Sequence, residues 1–371
     1  MSGPAKRNLI LLATIAGVTL VGVSLFIGAV NRPPVVHGRS LTAWLSDIDS
    51  KDQSARLAAE RAITSLGDNG VRFLQKTLAK KDFPVLALYR RMGSQLPFWI
   101  GRQLYLILKP DQFDLQRKRA ADALGVLGAA ASPAFPDLVT ALDDRSPIVR
   151  LAAAEALDRI GKPAIPTLLQ GLNTRSQFAR IRILNILAHH KNDAREVLPS
   201  ALELALRAET DQEVTAAVHL LKQFPSETVA ALLPKLAAGD EQTRVRAKEI
   251  LPSIILAVPG WPVRLQDVYR SQSVEVRASI VEALERSGAI RQFKGLFFML
   301  NVVDDPDPGL QERGFQWLRG NLKFEEFDRI LKVTQPAHLR DQIRARFLSD
   351  SSALRSQVDQ AQIKRDTDLG N

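Results

Sequence analysis

One short pattern recurs eight times along this chain, and that recurrence constrains the fold more than any other feature, because each copy has the same face to bury. The clearest copy is VRLAAAEALDRIG, residues 149–161. Beside it stand ARLAAERAITSLG from Ala55, QRKRAADALGVLG from Gln116, ARIRILNILAHHK from Ala179, TRVRAKEILPSII from Thr243 and EVRASIVEALERSG from Glu275. EVTAAVHLLKQF at Glu213 and LQERGFQWLRGN at Leu310 are looser versions. The position of Leu157 is filled in turn by Ile63, Leu124, Leu157, Leu187, Leu221, Leu251, Leu284 and Leu318, with steps of 61, 33, 30, 34, 30, 33 and 34 residues.

A step of about 32 residues is two helices and two turns, and the first step is one such unit enlarged by an insertion of about 30 residues. Within the copy, Ala153, Ala156, Leu157 and Ile160 fall at helical spacing on one side, a stripe whose small residues let neighbouring helices approach. The stretches between copies, SPAFPDLVTALD, PAIPTLLQGL, VAALLPKLAAGD and FEEFDRILKV, each read as a second amphipathic helix, several with proline in the first turn, where its missing N–H costs nothing. Gly128 and Gly161 stand where a helix stops in the left-handed conformation. The expected fold is all-α: a right-handed α-solenoid of about eight helical hairpins over residues 52–348, with the insertion at 83–112.

The turn and second helix of DDRSPIVRLAAAEAL at Asp143 and DDPDPGLQERGFQWL at Asp304 resemble the HEAT-repeat family, in particular its short variety with an aspartate-rich turn, then Val-Arg, then an alanine-leucine helix. The likeness runs from residue 52 to about 335. HGRSLTAWL at His37 also looks like the segment leading into the repeats of certain bacterial membrane-anchored HEAT proteins of unassigned role. The resemblance implies a curved stack that binds partners along its surface, and it implies no activity.

The ends differ from the repeats. After a short basic tail, residues 1–8, Leu9–Val30 is 22 residues without a charge, and about 20 apolar residues in a helix cross a bilayer core. A cleaved signal has a shorter apolar stretch ended by small residues, whereas Ile27 stands two before Ala29, so residues 9–30 read as a retained transmembrane anchor. Lys6 and Arg7 before the span, with the terminal amino group, outweigh Arg32 and Arg39 after it only slightly, placing the solenoid on the extracytoplasmic side. Residues 31–51 form a linker and a capping helix in which Leu41, Trp44, Leu45 and Ile48 share a face after Ser40; residues 336–348 add a last helix, and 349–371 are a polar tail.

Arginine recurs in register with the repeat. The position of Arg150 reads Arg56, Arg117, Arg150, Arg180, Val214, Arg244, Arg277, Gln311. The resemblance implies a structural ladder here, each guanidinium bonding carbonyls or turn aspartates such as Asp143 and Asp144. Two residues on, the column alternates small residues with arginine: Ala58, Arg119, Ala152, Arg182, Ala216, Arg246, Ser279, Arg313. This column is expected to be exposed, with Arg119–Asp122 and Arg246–Glu249 pairing at i to i+3. Arg119, Arg182, Arg246 and Arg313 are therefore the candidate partner contacts.

Residues 83–112 hold five of the 22 aromatic residues and a net charge of +3. Arg90, Arg91, Trp99 and Arg102 are candidates for resting on headgroups or gripping a partner. The alternative is a plain helical hairpin packing Leu86, Leu88, Leu104, Leu106 and Leu108 into the stack.

Chemistry-bearing motifs are missing. There is no cysteine, hence no disulfide or thiolate. His189 and His190 are adjacent, about 100° apart on a helix, and no HExxH or carboxylate cluster accompanies them. DDPDPG at Asp304 lacks the twelve-residue calcium loop, Glu325 and Glu326 diverge, and no GxGxxG, P-loop or GxSxG occurs. No catalytic, metal or cofactor site is expected. The net charge of +10 suggests an anionic partner, yet residues 1–40 carry +4 and 83–112 carry +3, so the other 301 residues share +3. That mixed surface lacks the cationic stripe a phosphate backbone requires. The expected function is a membrane-anchored, non-catalytic scaffold for protein partners; the alternative is a nucleic-acid-binding or base-excision HEAT-like protein.

Overall fold

Each of the eight repeated segments is a helix, and the residue marking the repeat is wholly buried in every one. The computed structural model describes residues 33–80, 84–92, 95, 98–190, 195–288, 293–322, 327–329, 331, 340 and 343–347. The basic tail, the apolar segment 9–30 and the polar tail 349–371 lie outside the described residues. The chain divides into two units, Met1–Asp193 and Ala194–Asn371.

The first unit opens with a small hairpin that the repeat pattern does not foretell. Strands β1 (Val35–Val36) and β2 (Arg39–Ser40) pair antiparallel through a turn at His37 and Gly38, both at positive φ. Helix α1 (Leu41–Asp47) follows, burying Leu41 and Leu45 and leaving Trp44 and Ile48 half-buried. Ser40 precedes it in extended conformation, but its hydroxyl meets Thr42 rather than a helix N–H. Trp44 Nε1 donates to Val36 O at 3.0 Å, and Arg39 lies over the indole and bonds Asp47, so hairpin and helix form one plug against α2 (Gln53–Thr64).

Next come α3 (Asp68–Leu78), the insertion helices α4 (Pro84–Met92) and α5 (Phe98–Leu108), and α6 (Pro110–Leu127). Helix α6 packs on α3 despite the insertion between them. The unit continues through α7 (Phe135–Ala141), α8 (Pro147–Ile160), α9 (Ile165–Gly171) and α10 (Gln177–His189). Helices α7 and α9 are short because each is entered through a 3-10 turn, Gly128–Ala134 and Lys162–Ala164, and has proline in its first turn. Gly128 and Gly161 end α6 and α8 at φ of +59° and +67°, as their place in the sequence anticipates.

The closest packing is between α6 and α8. A Cβ built on Gly125 would sit 2.8 Å from the Ala156 Cα, so the approach exists only because that residue is glycine. Among the described residues, the run 101–141 is long and apolar enough to cross a membrane by length and composition. Its apolar face is already used: Ala120, Ala121, Ala123 and Leu124 are fully covered by protein, and the same helix buries the charged Asp114 and Arg117.

The second unit repeats the scheme with α11 (Leu198–Arg207), α12 (Asp211–Leu221), α13 (Pro225–Ala238), α14 (Glu241–Ile255), α15 (Trp261–Arg270), α16 (Val274–Ser287), α17 (Phe293–Val302) and α18 (Pro308–Asn321). Asp240 and Asp307 cap α14 and α18 by accepting from the N–H three residues on. Phe327 stacks on Phe347, ring centroids 3.9 Å apart and both fully buried, and residues 343–347 are helical, so the region expected to hold a last helix does carry one.

The seam is continuous within each unit. Ile63, Leu124, Leu157 and Leu187 in the first, and Leu221, Leu251, Leu284 and Leu318 in the second, are all 0% exposed. Burying each side chain contributes roughly 1.5–3 kcal/mol.

Candidate functional site

The arginine register builds the inter-repeat turns. Arg150 Nη1 donates to the carbonyls of Asp144 and Arg145 at 2.8 and 3.0 Å, and Arg180 Nη1 to Thr174 O at 2.7 Å. Arg277 Nη1 donates to Gln272 O at 2.7 Å, and Gln311, where the column departs from arginine, reproduces the bond with its amide to Asp305 O at 2.7 Å. Two of these guanidinium groups also reach the next turn: Arg117 lies 3.1 Å from Asp144, and Arg277 grips Asp305 through Nε and Nη2 at 2.8 and 2.9 Å. The ladder is architectural, and Asp305 belongs to it, while Asp304 pairs with Arg270 at 3.2 Å and Asp307 caps the following helix. Asp305 also accepts from the Tyr269 hydroxyl at 2.7 Å and from the Asp307 N–H at 2.8 Å. Burial raises the Asp305 carboxyl's pKa, but the bonds from Arg277, Asp307 and Tyr269 outweigh it and hold the group below the usual carboxylate range. Burial, then the bond to Asp305, drives the Tyr269 phenol upward, so it stays a neutral donor.

Of the column expected to be exposed, only Ala58 is: Ala152, Ala216 and Ser279 are buried, and Arg119, Arg182, Arg246 and Arg313 are half-buried, because from the second copy on this position adjoins the seam. Arg119 donates to Asp49 at 2.9 Å rather than to Asp122, which instead pairs with Lys118 at 2.9 Å. Arg246 does pair with Glu249 at 2.9 Å, and Arg313 reaches Glu285 at 2.6 Å. Arg182 differs: no acid bonds it among the described residues, and burial followed by the nearby Arg150 charge lowers its pKa. Arg150 spends its own bonds on neutral carbonyls.

Beside these two uncompensated cations, apolar side chains face solvent. Ile148 and Leu151 on α8 are exposed, as is Phe178 at 69% on α10. Ile148 and Phe178 each stand two residues before their ladder arginine, so they occupy equivalent places on successive repeats. An apolar step flanked by cations fits an extended or helical segment carrying both apolar and acidic side chains. The column alternation in the sequence points at Arg182; the missing acid is a tertiary fact.

The insertion is a helical hairpin, half of it outside the core. Leu86 is fully buried and Leu104 and Leu108 are half-buried, but Leu88 and Leu106 are exposed, which corrects the expectation that all five pack inward. None of the described side chains of α5 is fully buried, so the helix lies along the surface of the unit. Arg90 turns inward and clamps Asp114 through two bonds of 3.0 and 2.9 Å. Arg91 and Arg102 are exposed, and so is Trp99, at 69%.

His189 and His190 do not diverge as adjacent helical residues would. His190 leaves the helix at φ −95° and ψ 49°, and both rings come within 3.2 Å of the Asp158 carboxylate. Among the described residues, no group of three or more histidine or acidic side chains is arranged to hold a metal ion. Glu325 and Glu326 lie outside the described residues. A surface cleft of about 520 Å³ in the second unit is lined by Glu203, Arg207 and Lys235, which satisfy one another through Lys235–Glu203 at 2.7 Å and Arg207–Glu203 at 3.3 Å.

Helical hairpins in register, a ladder of turn-binding arginines and a buried leucine seam define a helical-repeat protein. Residues 102–188 match the profile of HEAT repeats, so that stretch of the chain is similar to HEAT repeats. The match runs from within α5 to within α10. No curated protein matches the sequence. Among known structures, a chain in a homology model of the full-length AP-3 complex in an intermediate open conformation shares 12% identity at a TM-score of 0.34, over 80% of this chain and 54% of its own length. This chain therefore spans about half of that one. An engineered protein shares 16% identity at a TM-score of 0.30, over 83% and 98% of the two chains. A designed armadillo repeat protein shares 16% at a TM-score of 0.24, over 58% and 100%.

Proposed function

We propose that this chain is a membrane-anchored, non-catalytic scaffold whose repeats hold a protein partner. The carrying observation is the uncompensated Arg150–Arg182 pair beside exposed Ile148, Leu151 and Phe178. In this reading the partner segment lays apolar side chains on Phe178 and Leu151 and an acidic group on Arg182. On the same reading the repeats, about eight in all, stack as a right-handed solenoid within each unit, and residues 9–30, uncharged and long enough to cross a bilayer, anchor them on the extracytoplasmic side. The absence of motifs for nucleophilic, metal or nucleotide chemistry in the sequence supports a binding role.

A photo-crosslinker placed at Phe178 in the native membrane tests this, with Val263, equally exposed at 69% on α15, as the comparison site. The expected result is a discrete adduct from position 178 that Arg182→Glu abolishes. Adducts from 263 and none from 178 overturn the assignment.

A further inference from the structure

The insertion hairpin presents a surface that the repeat architecture does not use. On α4, Leu88 and Met92 lie one turn apart and exposed. On α5, Phe98 and Tyr105 continue one line and Trp99 and Leu106 a second, on the same outward half of the helix, with Phe98 84% exposed. Arg91 and Arg102 stand among them. The single acid of residues 83–112, Asp111, is exposed and accepts from the Tyr105 hydroxyl, and Arg90 is held by Asp114, so the ridge carries Arg91 and Arg102 against one carboxylate.

The start of the described chain locates this ridge. Pro33 lines a pocket of about 290 Å³ with Lys76, Lys80, Gln116 and Arg119, at α3 and α6, the helices that flank the insertion in the chain, where Lys80 also faces the Phe113 ring. The apolar segment 9–30 ends three residues before Pro33. Three residues reach at most about 11 Å, so the end of that segment lies within about 11 Å of this pocket. Helix α5, at about 16 Å long, is of the same order as that separation.

We propose that the hairpin of α4 and α5 is a second membrane contact: it lies on the anionic headgroup layer of the bilayer that residues 9–30 cross, with Trp99 and Phe98 inserted and Arg91 and Arg102 at the phosphates. This rests on the reading of residues 9–30 as an anchor. Aromatic and aliphatic side chains interleaved with cations are what an interfacial helix needs. A second copy of this chain is the poorer occupant, because a two-fold contact would set Arg91 and Arg102 against their own copies with only Asp111 on the face to answer them.

The chain has no cysteine, so Trp99→Cys and, as control, Phe178→Cys each accept one environment-sensitive fluorophore. The full chain is reconstituted into phosphatidylcholine vesicles with and without about 30 per cent phosphatidylglycerol, and quenching by brominated lipid is read. Quenching at 99 is expected to exceed that at 178 by about threefold in anionic vesicles, and to fall toward the control without phosphatidylglycerol or with Arg91→Glu/Arg102→Glu. A label at 99 that stays in water overturns the proposal. So does a label that is shielded regardless of lipid charge and of the reversal, which means that protein covers the ridge. Co-flotation after an alkaline wash reads the anchor separately: a chain that floats with label 99 in water refutes the hairpin contact alone, and one that does not float refutes both.

Discussion

Replacing Asp305 with alanine tests how the repeats are joined. This carboxylate accepts from Arg277 Nε and Nη2, the Tyr269 hydroxyl and the Asp307 N–H, all between 2.7 and 2.9 Å, and its side chain is 0% exposed. Without it Arg277, 9% exposed at its side chain, keeps its bond to Gln272 O but loses its counter-charge, and the buried Tyr269 hydroxyl loses its partner. Breaking a buried ion pair from one side costs about 3–5 kcal/mol. With a urea slope of about 2 kcal/mol per molar, the unfolding midpoint of the second unit falls by roughly 2 M. In a Trp44→Phe/Trp99→Phe background the remaining tryptophans, Trp261 and Trp317, both lie in that unit and report it by fluorescence. Replacing the cluster by apolar groups, Asp305→Leu/Arg277→Met/Tyr269→Phe, is expected to recover most of the loss, since a buried pair exchanged for packed hydrophobes is often neutral. Because the folded pKa of Asp305 is depressed, its contribution is complete above the unfolded value of about 3.9 and is lost as pH falls through the folded value. The gap between wild type and Asp305→Ala should therefore hold at neutral pH and narrow below about pH 4. A loss under about 1 kcal/mol, or a gap that widens in acid, refutes the argument.

Three further outcomes follow from the seam and the close approach. Leu157→Ala, at a fully buried position, should cost about 2–5 kcal/mol in thermal unfolding. Leu151→Ala, on the same helix but 55% exposed, should stay within about 0.5 kcal/mol, and the reverse order would mean the register is wrong. Gly125→Ala gains about 1 kcal/mol of helix propensity yet drives a Cβ to 2.8 Å from the Ala156 Cα, so its melting temperature should fall; a rise would show that α6 and α8 do not approach so closely.

The repeated helices and the residue each of them buries are legible in the amino-acid pattern. Ile63, Leu157 and Leu318 align on the amino-acid pattern alone, because a buried seam demands an apolar side chain at the same phase of every helix, and periodicity records that demand. The ladder was legible for a related reason: a guanidinium that bonds its own preceding turn, as Arg150, Arg180 and Arg277 do, is a local device, and arginine returns at that position in six of the eight copies.

Which charges are left over depends on how the helices pack. Arg119, Arg182, Arg246 and Arg313 look equivalent in sequence, and three of them meet an acid while Arg182 meets Arg150. Of those acids, Asp49 for Arg119 and Glu285 for Arg313 lie 70 and 28 residues away, beyond the reach of any spacing rule. The same holds for the insertion, where composition marked Arg90, Arg91, Trp99 and Arg102 alike, and only packing turned Arg90 to Asp114 and left the other three in solvent. A period encodes what every repeat must bury; exposure and pairing depend on which side chains neighbouring helices bring together, and no single repeat contains that information.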